Sequence, residues 1–284
     1  MRSKNQSKSF ISTLWIVLVV FICVAFLGVF ASSLVGGRDS KNNTSKEASI
    51  EGKYISFMGD SITTYSGWNN NTSYNSTIGS NAVWYTSDKL SSVNFTWWKT
   101  TIDKLDLKLC VNNSWSGSQV TTTQGENAAA CMSRAKNLHN DSRNIIPDII
   151  VVYIGINDFN RGITLGSFDG VSDIYDSSTK TYTGDLTKFA EAYATMVHKI
   201  VNTYKKADVY LCTLVNYNTA LTSWNAEIKK IANAFDCNVV DFYNEKGITP
   251  SNKGTYTIDN LHPNQSGMNK MSSCLNASLQ ENYN

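Results

Sequence analysis

Apolar positions fall into three regimes along the chain. Residues 14–30, LWIVLVVFICVAFLGVF, form an unbroken apolar run, and no charge occurs from Ser9 to Gly37. A membrane span needs about 20 apolar residues, whereas the core of a cleaved signal runs to roughly 7–15. The length therefore predicts an anchor over residues 10–35 behind a short basic segment, 1–9. Ala31, Ser32 and Ser33 keep signal cleavage open. Residues 36–50 are polar, carry paired glycines and lack apolar periodicity, which predicts a tether. From residue 51 to 284 the pattern changes to short apolar, β-branched runs at 54–58, 107–111, 149–154, 209–214 and 239–242. These predict buried strands. Helical spacing appears at 186–204, 224–235 and 264–279. Strands alternating with helices predict an α/β domain around a parallel sheet.

Composition fits one such domain, with 42% hydrophobic and 17% charged residues. The net charge of +2 is spread without a basic block, which gives no footprint for nucleic acid. A domain outside the cytoplasm is expected, with Arg2, Lys4 and Lys8 before the apolar run, although Arg38, Lys41 and Lys46 after it offset that charge signal. Cleavage of the segment would instead make the protein secreted. Outside that run stand Cys110, Cys131, Cys212, Cys237 and Cys274, an odd number that cannot pair completely. A Cys110–Cys131 bridge and buried free thiols are both open. No metal-ligand spacing is present, and neither metal nor cofactor is expected. Nothing in the sequence fixes an oligomeric state.

In an open parallel sheet, ligands bind where the strands end. The first strand is followed by Gly59-Asp60-Ser61, the second by Asn113-Ser114-Trp115-Ser116-Gly117, the third by Gly155-Ile156-Asn157-Asp158. Near the C-terminus stands Asp259-Asn260-Leu261-His262-Pro263, with one of only three histidines. Each motif alone is commonplace, since Asp and Ser cap turns, glycine serves loops and histidine is often partly exposed.

Together and in this order they resemble the GDSL/SGNH hydrolases, whose four named residues match Ser61, Gly117, Asn157 and His262, over a stretch from about Lys53 to Leu279. The resemblance implies a flavodoxin-like three-layer α/β/α sandwich with a five-stranded parallel sheet in the order 2-1-3-4-5. It implies Ser61 as nucleophile, His262 as base, Asp259 orienting the histidine, and an oxyanion hole from the Ser61 and Gly117 N–H groups and the Asn157 amide. These are the parts acyl transfer needs. Gly59, Asp60, Asp158 and Pro263 support the motifs. The fourth residue of the first motif is Ile62 where the name-giving pattern has leucine, and residues 159–184 form a long polar and aromatic stretch expected to shape the pocket.

The expected activity is ester hydrolysis through an acyl-serine, on a small-molecule or glycan ester and most plausibly as a carbohydrate O-acetylesterase, with the membrane as a partner through residues 10–35. A lipase or lysophospholipase is the alternative enzyme. A non-catalytic glycan-binding module is the alternative outside enzymes. His139 and His198 are expected to be bystanders, and most tryptophans to be core, with Trp68 and Trp115 of interest for their places after motifs.

Overall fold

The computed structural model describes residues 49–69, 82–244 and 247–283. The anchor expected at residues 10–35 and most of the tether lie outside them. Among the described residues no helix is long and apolar enough to cross a membrane.

The described elements are β1 (Tyr54–Gly59), α1 (Trp97–Lys104), β2 (Lys108–Ser114), β3 (Ile149–Tyr153), α2 (Ile156–Asn160), β4 (Tyr175–Asp176), β5 (Thr181–Tyr182), α3 (Phe189–Thr203), β6 (Asp208–Cys212), α4 (Leu221–Ala234), β7 (Asn238–Val240), α5 (Lys253–Tyr256) and α6 (Gln265–Tyr283). Five strands form a parallel sheet in the order β2-β1-β3-β6-β7. Its central strand β3 is Ile-Ile-Val-Val-Tyr, fully buried along its length, as a strand covered on both faces requires.

From β1 the chain steps outward through α1 to β2, then crosses back to β3 and proceeds the other way through α3 and α4 to β6 and β7. Right-handed crossovers running in opposite directions put their helices on opposite faces. Hence α1, which packs with α6, covers one face, and the α3–α4 pair covers the other. Each helix turns an apolar stripe inward: Trp97, Trp98 and Ile102 on α1, Leu221, Trp224, Ile228 and Ile231 on α4. The Thr96 side chain caps α1 by accepting from the Lys99 N–H.

Register decides where the chemistry emerges. Gly59 pairs with Ser114 of β2 and with Tyr153 of β3, so β1, β2 and β3 end level. The residues that follow all leave at one edge, beside the point where the strand order reverses.

Two expectations needed revision or a choice. Cys110 and Cys131 are free thiols, both buried, without a bridge between them. Burial pushes the Cys131 thiol up to about 12, which makes it an inert core residue. The stretch 159–184 is largely not a cover over the pocket. It folds into the β4–β5 hairpin, and its Phe168 stacks on Phe235 while Tyr175 and Tyr182 pack around His198 of α3. Only its first residues, Phe159 and Asn160, line a cavity near the motifs.

Candidate active site

Immediately after β1 the chain tightens into a single 3-10 turn, Ser61–Thr63, capped by Asp60, whose Oδ1 accepts from the Ile62 N–H at 3.0 Å. A Cβ on Gly59 would stand 2.5 Å from Thr63 Oγ1 and 3.0 Å from Ser114 Oγ, so the fold-back of this turn leaves room for glycine alone. The Thr64 hydroxyl donates to the Ser61 carbonyl at 2.8 Å and closes the turn. Ser61 is thus fixed by its own backbone, with only its hydroxyl left to be oriented by something else.

That partner comes from 201 residues further along the chain: His262 Nε2 lies 2.9 Å from Ser61 Oγ. His262 sits on a tight turn that begins at Asp259. Asp259 Oδ1 accepts from the Leu261 and His262 N–H groups, Asn260 takes the left-handed conformation the turn needs (φ 66°), and Oδ2 lies 2.7 Å from His262 Nδ1. One carboxylate therefore shapes the turn and holds the ring. Pro263 follows, and its carbonyl accepts from the Tyr85 hydroxyl at 2.7 Å.

Burial of His262 pulls its pKa below the ordinary histidine value and outweighs the opposing pull of Asp259, while the nearby Lys89 lowers it further. Burial alone would raise Asp259, yet the hydrogen bonds from His262 hold it below the usual carboxylate value. The histidine is consequently neutral, with Nε2 able to accept, at lower pH than a free imidazole. If it is the base, kcat/KM for an ester should rise with pH along an acid limb whose midpoint lies below the ordinary histidine value. Lys89→Gln should move that limb upward, because a cation that disfavours imidazolium is removed. A limb at or above the ordinary value in the native protein would contradict this electrostatic picture.

Gly117 and Asn157 arrive at the same edge. Gly117 adopts a positive φ of 76°, and its carbonyl accepts from Arg161 Nη1 at 2.8 Å. Asn157 lies in the first turn of α2, and its amide donates to the Ser118 carbonyl at 2.9 Å, which leaves the second amide hydrogen for a ligand. Asp158 points inward and ties the motifs together: its carboxylate accepts from the N–H groups of Val120 and Thr121 and from the Thr121 hydroxyl.

Three contributors had no signal in the sequence. Arg134 is buried at 2% exposure beneath the edge, where its guanidinium donates to the carbonyls of Gly59, Asn113 and Ala128 and lies 4.6 Å from the Trp115 ring. Trp84 lies flat on His262, and Tyr85 meets the same ring edge-on. Of the two tryptophans singled out by position, Trp68 is exposed and tilted against Trp98, and Trp115 is committed to Arg134. His139 and His198 stand away from the site, bonded to Tyr204 and Tyr182 respectively.

A cavity of about 120 Å³ opens beside the histidine turn, lined among others by Ile156, Phe159, Tyr217, Leu221, Lys253 and Leu261. A wider one, about 240 Å³, lies where β6 and β7 begin, and none of the four motifs lines it. Of these two, the smaller adjoins the third motif and the histidine turn through Ile156, Asn260 and Leu261. Among the described residues no cluster of three metal-binding side chains occurs.

A doubly wound parallel sheet with a serine, a histidine and an aspartate hydrogen-bonded in line at its carboxyl edge describes a carboxylic ester hydrolase. The chain belongs to the GDSL-like lipase/acylhydrolase family, whose model matches residues 53–279. Solved structures agree on the fold. A protein described as a GDSL-like lipase from Bacteroides ovatus is 23% identical, with 81% of this chain and 99% of that chain covered and a TM-score of 0.61. A second, from Bacteroides uniformis, is 24% identical over 81% and 96%, with a TM-score of 0.59. A family two carbohydrate esterase from Clostridium thermocellum, solved in complex with cellohexaose, is 20% identical over 81% of this chain and 64% of that one, with a TM-score of 0.53. No curated protein matches the chain.

Proposed function

We propose that the protein is an extracytoplasmic serine esterase that removes a small acyl group, acetyl, from a carbohydrate or glycan. In this mechanism Ser61 Oγ attacks the ester carbonyl carbon as its proton passes to His262 Nε2, while Asp259 holds the ring and stabilises the imidazolium. The tetrahedral oxyanion is met by the Ser61 and Gly117 N–H groups and by the free amide hydrogen of Asn157. Collapse expels the alcohol, which takes the proton from His262 and leaves the acyl group on Ser61. A water molecule deprotonated by His262 then attacks the acyl-serine and releases the carboxylic acid.

The observation that carries this proposal is the line of two hydrogen bonds, 2.7 Å from Asp259 to His262 and 2.9 Å from His262 to Ser61, made by residues brought together only by the fold. A non-catalytic binding module has no need of that line. A cavity of about 120 Å³ beside the histidine turn, though not lined by Ser61 or His262 themselves, is small against the roughly 300–1,000 Å³ of pockets that enclose drug-sized ligands and fits a short acyl group. The carbohydrate assignment draws on the Clostridium esterase that shares the fold. Placement outside the cytoplasm, on an anchor at 10–35 and a tether at 36–50 or released by cleavage, draws on the apolar run alone.

The test is hydrolysis of nitrophenyl esters of increasing acyl length by the full chain. Acetate should be the best substrate, with kcat/KM falling by about 10-fold or more by the octanoate. A rise with chain length would replace the esterase assignment by a lipase or lysophospholipase.

A further inference from the structure

The two hydrogen bonds of His262 lie in the plane of its ring, and they do not by themselves set that plane. An imidazole held only at Nδ1 and Nε2 can rock about the line joining them, because both hydrogen bonds point close to that line and resist the motion little. Trp84 occupies the position that resists this motion. Its indole is parallel to the imidazole within 7° at a centroid distance of 3.6 Å, while Tyr85 closes on the ring at 80° and anchors the next residue through the Pro263 carbonyl.

The same short segment is also tied to the nucleophile. The Trp84 N–H donates to Thr64 Oγ1 at 2.9 Å, and that hydroxyl donates to the Ser61 carbonyl. The Tyr85 carbonyl accepts from Ser66, and the Ala82 carbonyl accepts from Ser116 of the second motif. Residues 82–85 therefore hold the histidine turn, the serine turn and the glycine loop at once.

We propose that Trp84 is a positioning residue of the ester hydrolase, setting the ring plane of His262 against Ser61 and receiving the imidazolium on its indole face. This rests on the assignment of Ser61 and His262 given above. When the Ser61 proton moves to Nε2 as the Oγ–carbon bond forms, the ring becomes a cation, and a π face in contact with it attracts the cation more than the neutral ring. The effect therefore falls on the chemical step rather than on substrate binding. With one face committed to the imidazole, Trp84 does not offer that face as a sugar platform.

The experiment compares full-length native protein with Trp84→Leu, which keeps apolar bulk without a flat ring, and Trp84→Phe, which keeps the ring. Steady-state kinetics on nitrophenyl acetate are read beside the rate at which a fluorophosphonate labels Ser61, followed by mass spectrometry. In W84L, kcat and the labelling rate should fall together by about 10-fold or more while KM stays within about 3-fold, and W84F should recover to within about 3-fold of native. The native protein should also show the His262 Hε1 proton resonance displaced upfield by the indole ring current, a reading that does not depend on the variants folding. W84L that labels and turns over within about 2-fold of native, W84F no better than W84L, or an undisplaced resonance overturns the role of Trp84. A native protein that the reagent fails to label at Ser61 overturns the nucleophile assignment itself, and the role of Trp84 with it.

Discussion

Replacing Ser61 by alanine lowers kcat/KM on nitrophenyl acetate by about 10⁴- to 10⁶-fold, the range in which a serine hydrolase loses its nucleophile, and leaves the fold unchanged. Both halves of that expectation come from the geometry. Among the described residues the Ser61 hydroxyl makes one bond, to His262, whereas the turn carrying it is held by Asp60 Oδ1 on the Ile62 N–H and by the Thr64 hydroxyl on the Ser61 carbonyl, neither of which alanine disturbs. Thermal unfolding should accordingly match the native protein. Ser118, just after the second motif, donates its hydroxyl to the Trp115 carbonyl and has no base against it among the described residues, so Ser118→Ala should leave turnover within a few-fold of native, roughly the size of an ordinary packing change. Activity of S61A within about 10-fold of native would remove Ser61 as the nucleophile.

How much of this was legible beforehand depended on whether a feature is local. The five strands were, because strands buried on both faces read as continuous apolar runs; the observed bounds of β1 and β3 fall within a residue of those runs, while β2 continues three residues past its run through Asn112, Asn113 and Ser114. The Asp259–His262 pair was legible as well, since a three-residue spacing lets one carboxylate reach both the backbone and the ring. The contact between His262 and Ser61 spans almost the whole domain. Only the family resemblance, not the spacing, pointed to it.

Arg134, Trp84 and Tyr85 were not legible. Arg134 stands in a short 3-10 turn near Lys136, where a basic residue ordinarily faces solvent, and only the convergence of two strand-end carbonyls and one from the Ala128 turn makes a buried guanidinium tolerable there. Trp84 belongs to a segment without periodicity, so nothing marked which ring it meets. The hairpin within 159–184 did carry a signal: Tyr175 and Tyr182 flank the turn-forming Asp176-Ser177-Ser178-Thr179-Lys180. Read as a polar stretch before a helix, it pointed to a connection that shapes the pocket rather than to two strands bound to α3.

The buried charges beneath the site make the second large prediction, one of stability. Burial raises Asp60 to about 7, with the negative Asp158 adding to the rise and Arg134 opposing it, and burial raises Asp158 to about 6 against the hydrogen bonds from Val120 and Thr121. Burial also pushes the Arg134 guanidinium down to about 9, which still leaves it cationic at neutral pH. Arg134→Met removes that cation and the guanidinium donors to the carbonyls of Gly59, Asn113 and Ala128, of which Gly59 keeps the Trp115 N–H, and should cost about 3–5 kcal/mol of unfolding free energy in urea titrations. The pH dependence has a definite sign. Both carboxyls bind their protons more tightly in the folded protein than in the unfolded chain, where the reference value is 3.8. Their contribution to stability is therefore complete at low pH and is lost as pH rises through the folded values of about 6 and about 7. Without Arg134, Asp60 titrates higher still, so the loss extends further up the pH scale and the deficit of the variant against native protein should be larger at pH 8 than at pH 5. A deficit under about 1 kcal/mol, or one that is the same at both pH values, would mean that the guanidinium does not compensate Asp60, and that the nucleophile turn is held by its backbone bonds alone.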